Sequence, residues 1–151
     1  MIWLGSLVLL SLAVGGCSLP EPPQTSETIP SEYENSHMPD GWWTDRMIID
    51  EGRQFYLGFK KSNVNCAQCH GKSGQPVVTG ALNFRDSDKM KGYSNSQLLW
   101  RISEGVPYSQ MRAYKEKLSE HEIWKVIAFI ATMGMDGLHY DAQAQGWVPS
   151  A

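Results

Sequence analysis

Cysteine is scarce. The 151-residue chain has three, Cys17, Cys66 and Cys69, too few for the disulfide framework of a small secreted scaffold. There is one C-x-x-C and no second one to close a zinc site. Besides His70, such a site has only His37, His121 and His139 to draw on, and about four ligands are needed. Long apolar runs are missing too, since the longest, within Met1 to Gly16, falls short of the ~20 residues of a spanning helix. No alternating strand pattern flanks the C-x-x-C, so the βαβ setting of a dithiol redox motif is lacking. Thirteen basic and 16 acidic residues give a formal charge of -3, a total that does not call for nucleic acid as a partner. A length of 151 residues with 42% apolar content accommodates one domain with extensions.

What is present is Cys66-Ala67-Gln68-Cys69-His70, the spacing of c-type haem attachment. A two-residue spacer folded as a helical turn brings both sulfurs to one porphyrin edge for thioether bonds, and the next residue, His70, supplies an axial nitrogen to iron. Zinc and dithiol redox chemistry are the competing readings.

Met1 to Gly16 carry no charged side chain and suit the apolar region of a secretory signal. Val14-Gly15-Gly16-Cys17 resembles a bacterial lipobox, in which cleavage precedes a cysteine that becomes diacylated. Val14 stands where Leu is commoner, and no Lys or Arg precedes the run. The expectation is a signal peptide over 1–16 and lipidation at Cys17, with an uncleaved signal anchor as the alternative. Two cysteines for haem and one for lipid leave none for a disulfide. Bacterial c-type haem is attached outside the cytoplasmic membrane, so both features point to the periplasmic side.

Residues 17–45 hold five of the eight prolines and six acids without a Lys or Arg, the composition of an extended linker. From Arg46 on there are 13 basic and 10 acidic residues, or +3. An acidic tether thus leads to a mildly basic domain. Lys60, Lys61 and Lys72 lie near the motif in sequence, with Lys115 and Lys117 further on. They form either a rim that steers an acidic docking partner or a merely solvated face. Trp42 and Trp43 are expected to pack on the domain.

Ile48, Ile49, Gly52, Phe55, Tyr56 and Phe59 follow helical spacing from Arg46. Gly52 costs ~1 kcal/mol against Ala inside a helix, which implies that another helix crosses there. Glycines and Pro76 make 71–83 a loop. Ser94-Asn95-Ser96-Gln97 and Ser119-Glu120-His121-Glu122 are capping boxes, opening a helix that stops near Gly105 and one ending before Gly134. Residues 135–151 show no clear periodicity, leaving a tail that wraps the surface through Trp147 or is loose.

This order, a helix with Gly52 and Tyr56, the Cys66-to-His70 motif, a glycine-rich loop, a short helix, a Met-bearing loop and an aromatic final helix, resembles a class I cytochrome c over Arg46 to Gly134. The resemblance implies an all-α fold over 46–134, three to five helices around one covalently attached haem c. Its first and last helices would cross at Gly52 and Tyr56 against Val126, Ile127 and Phe129. It also implies Met111 as distal iron ligand, in the run Met111-Arg112-Ala113-Tyr114, with His121 or His139 as alternatives. Arg112 stands where the family usually has Pro. The carbonyl that orients the His70 ring falls at Ala81.

The function expected is transfer of single electrons between respiratory or dehydrogenase partners by a membrane-tethered, periplasmic mono-haem cytochrome. Redox proteins and, through the lipid anchor, the membrane are its partners; nucleic acid and small-molecule substrates are not. With both axial positions filled and no acid/base pair at hand, catalysis is not expected. The alternatives are a stably bound electron-transfer subunit of an oxidoreductase complex, and a gas-binding sensor with an open sixth position.

Overall fold

The computed structural model describes residues 28–141, 143–144 and 146–150. Signal peptide, lipobox and Cys17 lie outside them. Helix α1, Arg46–Tyr56, starts where the Asp45 carboxylate accepts from the amides of Met47 (2.8 Å) and Ile48 (3.3 Å), satisfying two of the donors that a helix start leaves open. It buries Gly52, Phe55 and Tyr56. Their partner is the final helix α5, Glu120–Gly134, opened by a complete capping box between Ser119 and Glu122 and buried through Ile123, Trp124, Val126, Ile127, Ala128, Ile130 and Ala131. A Cβ at Gly52 would overlap the Lys125 carbonyl group, so the two backbones touch where the sequence placed a crossing. Tyr56 and Phe129 meet edge to face at 5.2 Å.

Between them come α2, Ala67–His70, α3, Ser87–Lys91, and α4, Asn95–Glu104. Helix α4 has the expected capping box, Ser94 with Gln97, and stops at Gly105, whose φ of +76 ends the helical run. It sends Leu98, Leu99 and Ile102 into the core. Helix α3 has no counterpart in the sequence pattern. Its one apolar residue, Met90, is 1% exposed, and Asp86 caps it by accepting from the Lys89 amide at 3.1 Å. Burying such a side chain contributes about 2 kcal/mol, enough to hold five residues that periodicity does not mark.

One correction concerns the N-terminal end of the domain. Residues 30–45, assigned to the tether, form a strap of turns packed on the helices. Met38 is 5% exposed, Ser96 Oγ donates to the Ser36 carbonyl at 3.3 Å, and Trp42 lies against His121 and beneath Lys125. The apolar and aromatic side chains set among the prolines override the linker composition. The tail packs on the surface through Trp147, the first of the two expectations, and does so as a hairpin, β1 Leu138–Asp141 antiparallel to β2 Gly146–Pro149, with His139 opposite Val148 and Tyr140 opposite Trp147. Trp147 donates to the Tyr93 carbonyl at 3.1 Å and meets Trp43 edge to face at 5.0 Å, fastening strap and hairpin to each other. No helix among the described residues is long and apolar enough to cross a membrane.

Candidate haem site

The Cys66-to-His70 segment is a single helical turn. Cys69 and His70 both donate backbone N–H to the Cys66 carbonyl, at 3.2 and 2.9 Å, while Cys66 N–H donates to Tyr56 at the end of α1. The Asn65 side chain accepts from the Gln68 amide at 3.2 Å and so caps the turn. It closes at Gly71 (φ +74), where a Cβ would overlap the Gln75 carbonyl, and Tyr56 Oη donates to Gly71 O at 2.6 Å. Val77 N–H returns to Cys69 O at 2.9 Å. The long α1–α5 crossing therefore anchors both sides of a four-residue helix that would not form alone.

Both thiols are free and partly buried. Burial pushes the Cys66 thiol up to about 12, opposite to the depressed value that a dithiol redox centre needs. Among the described residues no three His, Cys, Asp or Glu side chains come together to hold a metal ion. Two thiols on one turn and one imidazole make a donor set that fits haem c and not a four-ligand zinc site.

His70 is 9% exposed, and burial holds its pKa below the ordinary value, favouring the neutral ring. Its Nδ1 lies 2.9 Å from the Leu82 carbonyl. A carbonyl can only accept, so Nδ1 carries the proton and Nε2 keeps the lone pair for a metal. The ring stacks on Phe84 at 4.4 Å and 15°, which fixes its plane. The orienting carbonyl is Leu82, not Ala81: Ala81 N–H closes a turn on Val78 O at 3.2 Å, and the next carbonyl reaches the ring. The sequence offers no signal for Phe84, because its partner is fourteen residues away in an irregular loop.

Met111 is partly buried and packs against the core from the loop joining α4 to α5. That loop is tied down at both ends. Val106 N–H donates to Met111 O at 3.0 Å, and Tyr114 N–H donates to Ser103 O at 3.0 Å. Three residues past Met111, Tyr114 packs against the core as well, and its pKa is raised, burial being the main cause. His121 is exposed, its ring centroid 5.8 Å from that of Trp42, and His139 lies in the hairpin. Met90 and Met135 are each 1% exposed in the core, and Met133 lies against Gly74, where Phe84 also packs.

Helices closing on a C-x-x-C-H turn, with a histidine held by Nδ1, define a mono-haem class I cytochrome c, a carrier of electrons and not an enzyme, with haem c bound covalently. The family model agrees. Residues 49–130 match the family model for cytochrome c oxidase, cbb3-type, subunit III, more than half of the chain, and the protein belongs to that cytochrome family. No curated protein matches the chain. Among solved structures it is similar to the KustC0563 c-type cytochrome, with 28% identity and TM-score 0.48 over 55% of this chain and 96% of that one. It is similar as well to a chain of the Kuenenia stuttgartiensis reducing HAO-like protein complex Kustc0457/Kustc0458, at 18% identity and TM-score 0.50, covering 60% of this chain and 45% of that one. Cytochrome cL from Hyphomicrobium denitrificans aligns at 22% identity and TM-score 0.46, covering 69% of this chain and 61% of that one.

Proposed function

We propose that this protein is a membrane-tethered, periplasmic carrier of single electrons between redox proteins. In this reading Cys66 and Cys69 form the haem thioethers, His70 is the proximal and Met111 the distal iron ligand, and Cys17 carries the lipid. The observation that carries it is His70, whose Nδ1–H is committed to Leu82 O at 2.9 Å, leaving Nε2 beside two thiols on the same turn. Haem supplies the one-electron couple between ferric and ferrous iron. The chain's own residues fix the imidazole through Leu82 and Phe84, and the Met111 thioether raises the potential relative to a second imidazole.

The docking partner is an acidic face of a redox protein, met by fewer lysines than the sequence lists. Lys60 pairs with Glu51, Lys61 with Glu122 and Lys115 with Glu104. Lys72, Arg112 and Lys117 form no ion pair among the described residues, and Lys117 Nζ sits 5.3 Å from the Tyr114 ring centroid, three residues past Met111.

A second reading, a stable subunit of an oxidoreductase complex, draws on the family's description as an oxidase subunit. The aromatic patch that would serve such a subunit is largely used within the chain, since Trp43 meets Trp147 and Trp42 meets His121.

The test is the visible spectrum of protein matured with c-type haem, native and Met111→Ala. Haem that resists acid-acetone extraction, with a weak far-red sulfur-to-iron band in the native ferric form that the variant loses, is the expected outcome. An unchanged six-coordinate spectrum in Met111→Ala would reject Met111, and absence of covalent haem would reject the reading. Fractionation of Cys17→Ser cells tests the anchor: release from the membrane is expected, and retention would favour a signal anchor. Copurification with a partner at high salt would favour the subunit.

A further inference from the structure

The strap and the loop that carries Met111 meet at one carboxylate. Glu104 is the last residue of α4, directly before the loop, and its Oε1 accepts from two directions. Tyr33 Oη of the strap donates to it at 2.6 Å, and Lys115 Nζ from the far end of the loop donates to it at 2.9 Å. Backbone bonds zip the same two ends together: Tyr114 N–H donates to Ile102 O at 3.1 Å, and Lys115 N–H to Ser103 O at 3.2 Å. Inside the loop, Gly105 allows no side chain, because a Cβ there would stand 2.5 Å from Met111 O. Ser109 Oγ donates to Val106 O at 2.8 Å and accepts from Met111 N–H at 3.1 Å. The loop is therefore a closed ring with Met111 inside it, and Glu104 is the side-chain fastening at its neck.

We propose that Tyr33 and Glu104 are positioning residues for the distal ligand: Tyr33 fixes the Glu104 carboxylate, and Glu104 holds Lys115 so that the ring stays shut over the haem. The proposal rests on Met111 as that ligand. A hydrogen bond to a charged group is about twice as strong as a neutral one. Tyr33 itself is held in place by the strap, through the Ser36 bond to Ser96 and the buried Met38. The strap thus acts on the ligand loop without touching Met111.

The experiment measures the rate at which cyanide displaces the distal ligand of the ferric holoprotein, in wild type, Tyr33→Phe, Glu104→Gln, the double variant and the exposed control Lys89→Gln. Opening of the ring limits this rate. An increase of about fivefold is expected in each single variant, the effect of a charge-assisted hydrogen bond discounted for partial exposure. The double variant should match Glu104→Gln alone, because Tyr33 acts through Glu104. The control should match wild type, and all forms should keep the far-red sulfur band. Unchanged rates with that band present overturn the clamp and leave Met111 standing as ligand. Equal acceleration in Lys89→Gln, or additive effects in the double variant, also overturns it, since general loosening would then suffice. A wild-type spectrum without the band overturns the clamp together with the Met111 assignment, and shows this before any variant is compared.

Discussion

A Cβ at Gly52 would stand 2.5 Å from the Lys125 carbonyl carbon. Two effects compete in Gly52→Ala. Helix propensity favours Ala by about 1 kcal/mol, whereas overpacking against a neighbouring backbone costs about 3 kcal/mol because neither helix can yield locally. Overpacking wins, so chemical denaturation of the haem-loaded protein should show a net loss of roughly 2 kcal/mol. A neutral or stabilised variant would mean that the α1–α5 crossing is looser than its geometry. What the sequence makes legible of the site is what lies close together in it. Cys66, Cys69 and His70 are adjacent in sequence, and their chemistry follows from spacing alone. Leu82 and Phe84 were out of reach because a carbonyl has no residue-type signature and a ring stacked across a loop leaves no periodic trace.

Helices α1 and α5 are joined at their surface by Glu51, which accepts from Lys125 Nζ at 2.5 Å and lies 3.5 Å from Lys60 Nζ. The hydrogen bond from Lys125, and then its charge, hold the Glu51 carboxyl below its ordinary value of 4.5. A depressed carboxylate binds its proton more weakly in the folded than in the unfolded state. Its contribution is therefore complete above the unfolded value of 4.5 and is lost as pH falls through the folded value. The pair is partly exposed, so the effect is small. Glu51→Gln should lower stability at pH 7 and converge with wild type in acid. A constant difference down to low pH would remove the ion pair as its source. Helices α1, α4 and α5 have an apolar face, and α4 and α5 have capping boxes as well, so they stood out. Helix α3 has one buried residue, and hairpin and strap gain their order from partners distant in sequence, Trp147 from Trp43 and Tyr93, and Met38 from the core.

For the whole molecule, docking of the strap changes the charge balance from that of a basic ball on an acidic stalk. Glu32, Glu34, Asp40 and Asp45 belong to the folded body, and four acids set against the +3 from Arg46 on leave it near -1. A net charge this small steers weakly, so any attraction to an acidic partner has to come from the placement of charge. Lys72, Arg112 and Lys117, which form no ion pair among the described residues, lie in the motif loop and the Met111 loop, and Tyr33, flanked by Glu32 and Glu34, packs at the neck of the latter. If the proposed docking uses those cations, Lys72→Glu and Lys117→Glu should each slow electron transfer to an acidic redox partner several-fold at low salt. Lys89→Glu, on α3 and outside both loops, should change it little. Charges in solvent are screened beyond ~10 Å at 0.1 M salt, so the differences should shrink as salt rises. Stopped-flow rates across ionic strength measure this directly. Equal sensitivity of the rate to Lys89→Glu would show that the monopole steers the encounter and that the rim is only a solvated face. Loss of rate in the lysine variants that persists at high salt would instead place those lysines inside a desolvated, stable interface, the behaviour of a bound subunit.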